Sequence, residues 1–206
     1  MTPNRIAGLA TMHEFIGVPV ELLDHDGIMS RILPGHPLHE GYQYLSCVHK
    51  SDYLRSYFMH FYGGGYGDIK FFKDGGNWIK CFDAMDADED IWAIGVREII
   101  RGTPIKDYKN YVDIKQLLGC GWFICRPQTP FTEKWYAAVQ KKMDELLPVL
   151  KKHPADPRNP RHGGAGYPVR WSELHGAIFH RIIHDVPERH KRNILQTGVD
   201  WSRDYQ

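Results

Sequence analysis

Three consecutive glycines, Gly63, Gly64 and Gly65, divide an apolar helical repeat from an aromatic run, and they restrict this chain more than any other feature. Around them residues 51–70 read SDYLRSYFMHFYGGGYGDIK. Ser51 is a suitable N-cap, and Asp52 behind it suits the positive end of a helix. Leu54, Tyr57, Phe58 and Phe61 recur at i, i+3, i+4 and i+7, which is one apolar helical face. Asp52 and Arg55, three apart, share a side of the helix off that face. The glycines end the helix and permit a tight turn free of Cβ atoms. Residues 66–72 then have the aromatic and β-branched content of a strand, with Asp68 and Lys70 on one side of it. The block thus predicts helix, turn and strand, and it brings two carboxylates, a guanidinium and an ammonium towards one turn. Such a set suits a sugar, a metal ion and a diphosphate.

Elsewhere the pattern alternates between helix and strand. Residues 4–15 read as a helix, with Thr2 as N-cap and Pro3 at the first helical position. Residues 18–23 read as a buried strand, residues 42–47 as a short one, and residues 91–96 and 121–125 as two more. A helix followed by a strand is the second half of a Rossmann-like unit. Residues 103–109 look like a loop. Thr129 and Pro130 open an amphipathic helix with Trp135, Val139, Met143, Leu146 and Leu150 on one stripe, and Pro148 should bend or end it. Residues 152–166, rich in Pro, Gly, Arg and His, are a long loop of the kind that often carries function. Residues 173–185 read as the last helix. Strands mix with helices throughout, so the fold class is α/β.

The 206 residues suffice for one domain with a sizeable core. The 26 Lys and Arg are interspersed with 25 Asp and Glu, which argues against a nucleic-acid groove or a polybasic membrane anchor. There is no signal-peptide pattern and no apolar run long enough to span a bilayer, so a cytoplasmic setting is expected. Cys47, Cys81, Cys120 and Cys125 show no CxxC pair or zinc spacing and are expected to be free, mostly buried thiols, in keeping with a reducing compartment. The hydrophilic end, residues 199–206, fits a chain that is the N-terminal module of a longer polypeptide.

SD-x-L-R, an apolar helix and then YGG-x-Y-x-D together resemble the core of the GT-A glycosyltransferases with a DXD-type sugar-binding region. YGGGYGDIK, with Lys70 where a second Asp is usual, is most similar to the capsular-polysaccharide transferase branch, and GYPVRWSELHGAIFH over residues 166–180 resembles the same branch. The resemblance spans residues 18–184. It implies a single GT-A, Rossmann-like domain with a mixed central sheet flanked by helices. It implies transfer of a hexosyl or deoxyhexosyl group, glucose or a rhamnose-like sugar, from a UDP-sugar to a glycan or glycoprotein acceptor, with retention. The acceptor expected for this branch is a viral capsid or surface glycoprotein.

By the same resemblance Asp52 would accept hydrogen bonds from donor-sugar hydroxyls, and Arg55 would sit against the sugar or the diphosphate. Ser51, Gly65 and Tyr66 fall in the donor-binding stretch. Asp68 would be the first DXD aspartate, near ribose, sugar and metal. Lys70 stands at the second DXD position, where it neutralises phosphate directly but cannot ligate a hard cation. A Mn²⁺ or Mg²⁺ would then rest on Asp68, phosphate oxygens and water, with His180 completing the shell. Glu173 would bind acceptor hydroxyls or stabilise the oxocarbenium-like centre, and Trp171 would stack on a sugar face.

Two other patterns compete. A literal DXD lies at Asp86, Ala87 and Asp88, but without a preceding strand or glycine turn it ranks second. His180 and His184, one helical turn apart, could bind a metal for a phosphohydrolase using those acids. A module that binds nucleotide sugar without turnover is the nearer rival, and Lys70 is its motive.

Overall fold

The computed structural model describes residues 1–97 and 117–202; the loop expected over residues 103–109 lies outside them. The centre is β3, Leu118–Cys125, an eight-residue strand buried along most of its length. Its side chains alternate between two cores, as strand geometry requires. Phe123 and Cys125 enter one apolar cluster, while Trp122 and Ile124 enter the other. On one side β3 pairs antiparallel with β1, Gly64–Gly67; on the other it pairs antiparallel with β2, Ala93–Arg97. A two-residue strand, β4, Lys191–Arg192, adds in parallel to β2, giving the order β1-β3-β2-β4. This is an α/β fold: a four-stranded mixed sheet flanked by helices.

One core lies between the sheet and three helices: α3, Cys47–Phe61; α5, Pro130–Lys152; and α6, Gly176–Asp185. Trp135, Phe123, Phe131 and Phe179 meet there in edge-on and stacked contacts with centroids 4.9 to 5.9 Å apart. The other core is closed by α1, Pro3–Phe15, and α4, Trp78–Ala87, which bring Met12, Trp78, Cys81 and Met85 against Ile94, Trp122 and Ile124. A short helix α2, His25–Met29, lies between α1 and α3 in sequence.

Local chemistry explains what formed as expected. Thr2 caps α1 with Pro3 at its start. Thr129 and Thr132 exchange side-chain-to-backbone bonds in a capping box, and the stripe Trp135, Val139, Met143, Leu146 and Leu150 is buried. Pro148 does not end α5, which continues to Lys152. The carbonyl that loses its partner belongs to Asp144, on the exposed side of the helix.

Four expectations are corrected. Residues 18–23 form no strand; Pro19 removes a ladder donor, and Val18 and Val20 pack against the second core without pairing. Residues 42–47 are not a strand either, because Glu40–Tyr44 winds into a 3₁₀ turn. Gly41 lets that turn approach α5: a Cβ there would lie 2.8 Å from Met143 Cε. Helix α3 begins at Cys47, capped by Ser46, so Ser51 is interior to it and Asp52 is beyond its first turn. Finally, β1 ends at Gly67, well short of the strand expected over residues 66–72.

The glycine turn works as read. Gly63, at φ 68°, stops α3 with its N–H on the Phe58 carbonyl, and a Cβ there would lie 2.5 Å from Pro127 Cδ. The four cysteines are free thiols: Cys81 and Cys125 buried, Cys120 half-buried, Cys47 exposed. Among the described residues no helix is long and apolar enough to cross a membrane.

Candidate functional site

Helix α3 turns Asp52 and Arg55 inward together, and β1 with the residue that follows it delivers Tyr66 and Asp68 opposite them. Arg55 is the centre. One Nη donates to Asp52 Oδ1 at 3.1 Å and lies 3.9 Å from Asp68 Oδ1. The other donates to the carbonyl of Cys120 in β3 at 2.9 Å. The guanidinium plane covers the Tyr66 ring, 4.2 Å from its centroid. Tyr66 O–H donates to Asp68 Oδ1 at 2.8 Å, and the Asp68 N–H donates to the Gly121 carbonyl at 2.9 Å. Gly121 leaves room for that carboxylate, since a Cβ there would stand 3.3 Å from Asp68 Oδ2.

The two carboxylates differ in access. The Asp52 side chain is 6% exposed, whereas that of Asp68 is 28% exposed, so Asp68 is the one a ligand meets first. Burial pushes the Asp52 carboxyl up to about 6; Arg55 opposes the rise and Asp68 adds to it. With both acids ionised, the trio of Asp52, Arg55 and Asp68 carries one net negative charge. A guanidinium committed to two carboxylates and a carbonyl is an organiser of acceptors, and the acceptors suit hydroxyl donors.

His175, just ahead of α6, joins from behind. Its Nε2 donates to the same Cys120 carbonyl at 2.9 Å, which leaves Nδ1 as the acceptor of a neutral ring. Burial first, and Arg55 second, hold its pKa well below the ordinary range. Among the described residues two buried atoms of this group have no hydrogen-bond partner, Arg55 Nε and His175 Nδ1. Nothing in the sequence marked the Cys120 carbonyl, and His175, although it lies in the GYPVRWSELHGAIFH run, carried no signal of a role.

The group opens on a cleft of about 3220 Å³ bounded by α1, α3, β1 and the segments before α6. That is several times the roughly 300–1,000 Å³ of a pocket for one small molecule, and it has room for two substrates. Ser51, Asp52, Arg55, Gly65, Tyr66, Asp68, Lys70 and His180 all line it. Gly65 serves packing on its far side, where a Cβ would lie 3.0 Å from Trp78.

Glu173 is not among the lining residues. Its carboxylate accepts from the Arg170 N–H at 3.0 Å and lies 3.7 Å from Arg170 Nε, which closes the turn before α6. His184 is engaged by the carboxylate of Asp185, and Asp88 lies 3.7 Å from Arg192. Among the described residues no group of three or more His, Cys, Asp or Glu could hold a metal ion. His184 and Asp88 thus turn to other partners, whereas Asp68 and His180 both line the cleft, where an ion on Asp68 would draw its remaining ligands from phosphate oxygens and water.

Comparison with known proteins finds no matching family model, no similar curated protein and no similar solved structure.

Proposed function

We propose that this chain is a glycosyltransferase of the GT-A type that moves a hexosyl or deoxyhexosyl group from a UDP-sugar to a glycan. The observation that supports it is the Asp52–Arg55–Asp68 group, preassembled at the floor of a cleft with room for both substrates. Sugar hydroxyls donate to Asp68 and Asp52, whose carboxylates Arg55 and Tyr66 hold in place. Lys70, two residues past Asp68 on the cleft wall, faces the departing diphosphate. In the step itself the acceptor oxygen bonds to the anomeric carbon while the bond from that carbon to the diphosphate oxygen breaks. The electron pair leaves with UDP, and the acceptor proton passes to a diphosphate oxygen. The chain contributes position and charge, which suffice for such a reaction. The setting we propose is the cytoplasm, where the four thiols stay reduced.

The test is calorimetric binding and UDP release across UDP-glucose, UDP-galactose and UDP-rhamnose, each with Mn²⁺, with Mg²⁺ and with EDTA. One sugar is expected to bind best. Asp68→Ala is expected to weaken it by about tenfold to a hundredfold, the loss of one or two hydrogen bonds to a charged group. Binding without UDP release would assign a nucleotide-sugar-binding module instead. No binding to any of them would end the transferase reading.

A further inference from the structure

At the mouth of the cleft stands an indole that the core does not use. Trp171 is 67% exposed, and its ring meets that of His162 with centroids 5.8 Å apart and planes 36° from parallel. Arg161 and Arg170, both exposed, flank them, and all four line the cleft. Arg170 is partly offset by Glu173 at 3.7 Å, while Arg161 makes no salt bridge among the described residues. The ridge is therefore aromatic with a surplus of positive charge.

Its position is fixed by the start of α3. The N–H groups of Cys47 and Val48 donate to the carbonyls of Pro160 and Arg161 at 2.7 and 3.4 Å, which satisfies donors that a helix start leaves open. His49 Nε2 donates to the Arg170 carbonyl at 3.1 Å. The ridge is thus fastened to the first turn of α3, and Asp52 and Arg55 follow on the next turns, at about 1.5 Å per residue. Asp68 meets Arg55, and Lys70 lies beyond it on the side of α1, whose Gly8 is so close that a Cβ would stand 3.1 Å from the Lys70 carbonyl. The order along the cleft is ridge, Asp52, Arg55 with Asp68, then Lys70. A donor with its diphosphate at Lys70 and its sugar at the carboxylates leaves the ridge to the other substrate.

We propose that Trp171 and His162, with Arg161 and Arg170, form the acceptor subsite, and that it takes a pyranose bearing a carboxylate, a uronic acid residue. The apolar face of such a ring lies on the indole, and its carboxylate meets the guanidinium forks. This assignment rests on the transferase reading, because it uses the donor to decide which end of the cleft is left over.

The experiment titrates methyl β-glucuronide and methyl β-glucoside into the full chain in the presence of UDP, followed by NMR. UDP alone is titrated in parallel. The glucuronide is expected to bind at least fivefold tighter than the glucoside. Trp171→Ala should weaken it by about fivefold or more, Trp171→Phe should retain most of the affinity, and Arg161→Gln should erase the preference for the acid. The exposed position of Trp171 keeps these variants folded, which the NMR spectrum itself checks. Equal binding of both glycosides, binding of neither, or a glucuronide affinity untouched by Trp171→Ala would overturn the subsite. A chain that binds no UDP but still loses glucuronide with Trp171→Ala would sink the transferase reading and leave the ridge standing as a sugar site.

Discussion

Two buried polar networks hang from α3, one centred on His49 and the other on Arg55, and they are built on opposite principles. Around His49 everything is neutral and paired. Its Nδ1 lies 3.0 Å from Ser46 Oγ and 3.1 Å from Tyr167 Oη, its Nε2 donates to the Arg170 carbonyl, and Tyr167 Oη also accepts from the Ser46 N–H. Around Arg55 there are three charges, a net imbalance, and two buried nitrogens without partners among the described residues. A fully satisfied network fixes structure; one held together with unspent donors and acceptors is strained towards a ligand. The contrast fits the first network to fastening the 160–171 segment and the second to the ligand-binding role proposed for it.

The largest effect should follow from breaking the charged network. Arg55→Leu leaves the Asp52 carboxylate buried without its cation, and is expected to cost about 3–5 kcal/mol in urea unfolding at pH 8. Pairing it with Asp52→Asn should recover a good part of that loss, since the uncompensated charge is then gone. A cost below about 1 kcal/mol for the single variant would mean that water reaches the pair, and the distinction between the networks would fail.

A smaller effect is expected on the neutral side. His49→Ala removes the donor to Arg170 and takes one partner from each of Tyr167 and Ser46, which costs about 1–3 kcal/mol. Asp52, Arg55 and Asp68 keep their contacts in this variant, so UDP-sugar affinity should stay within about threefold. A collapse of donor affinity equal to that of Asp68→Ala would show that the two networks act as one.

The two networks also differed in how far the sequence revealed them. Asp52, Arg55, Tyr66 and Asp68 were legible because they lie within one contiguous helix-turn-strand block whose spacing sets their directions. The helices α1 and α5 were legible for the same reason, since Thr2-Pro3 and Thr129-Pro130 are local signals. What depended on distant chain was hidden. The carbonyl of Cys120, which anchors both Arg55 and His175, is a backbone atom of β3, and no residue type announces it. The Ser46–Tyr167 bond joins residues 121 apart. The start of α3 was misplaced because Ser51 is as good a cap by type as Ser46, and only the docking of residues 160 and 161 on the Cys47 and Val48 N–H groups decides between them. Strand β4 is two residues long and leaves no periodicity to read.

The finest way to separate the networks is acid. Burial lowers the pKa of His49 from 6.5 and that of His175 well below it, so below about pH 6.5 the unfolded chain binds more protons than the folded one. Their contribution to stability is therefore present at neutral pH and is lost as pH falls. Asp52 acts in the other direction: its carboxyl loses its proton near 3.8 when unfolded and near 6 when folded, so between those values acid favours the folded chain. Each group changes stability by at most about 1.4 kcal/mol per pH unit. Urea unfolding between pH 7 and pH 5 should thus show a decline that His49→Gln makes shallower and Asp52→Asn makes steeper. Donor binding should rise with pH through about 6 as Asp52 ionises, and Asp52→Asn should remove that rise. If Asp52→Asn left both slopes unchanged, the carboxylate would already be ionised at pH 5, and Arg55 rather than burial would set the charge of the cleft floor.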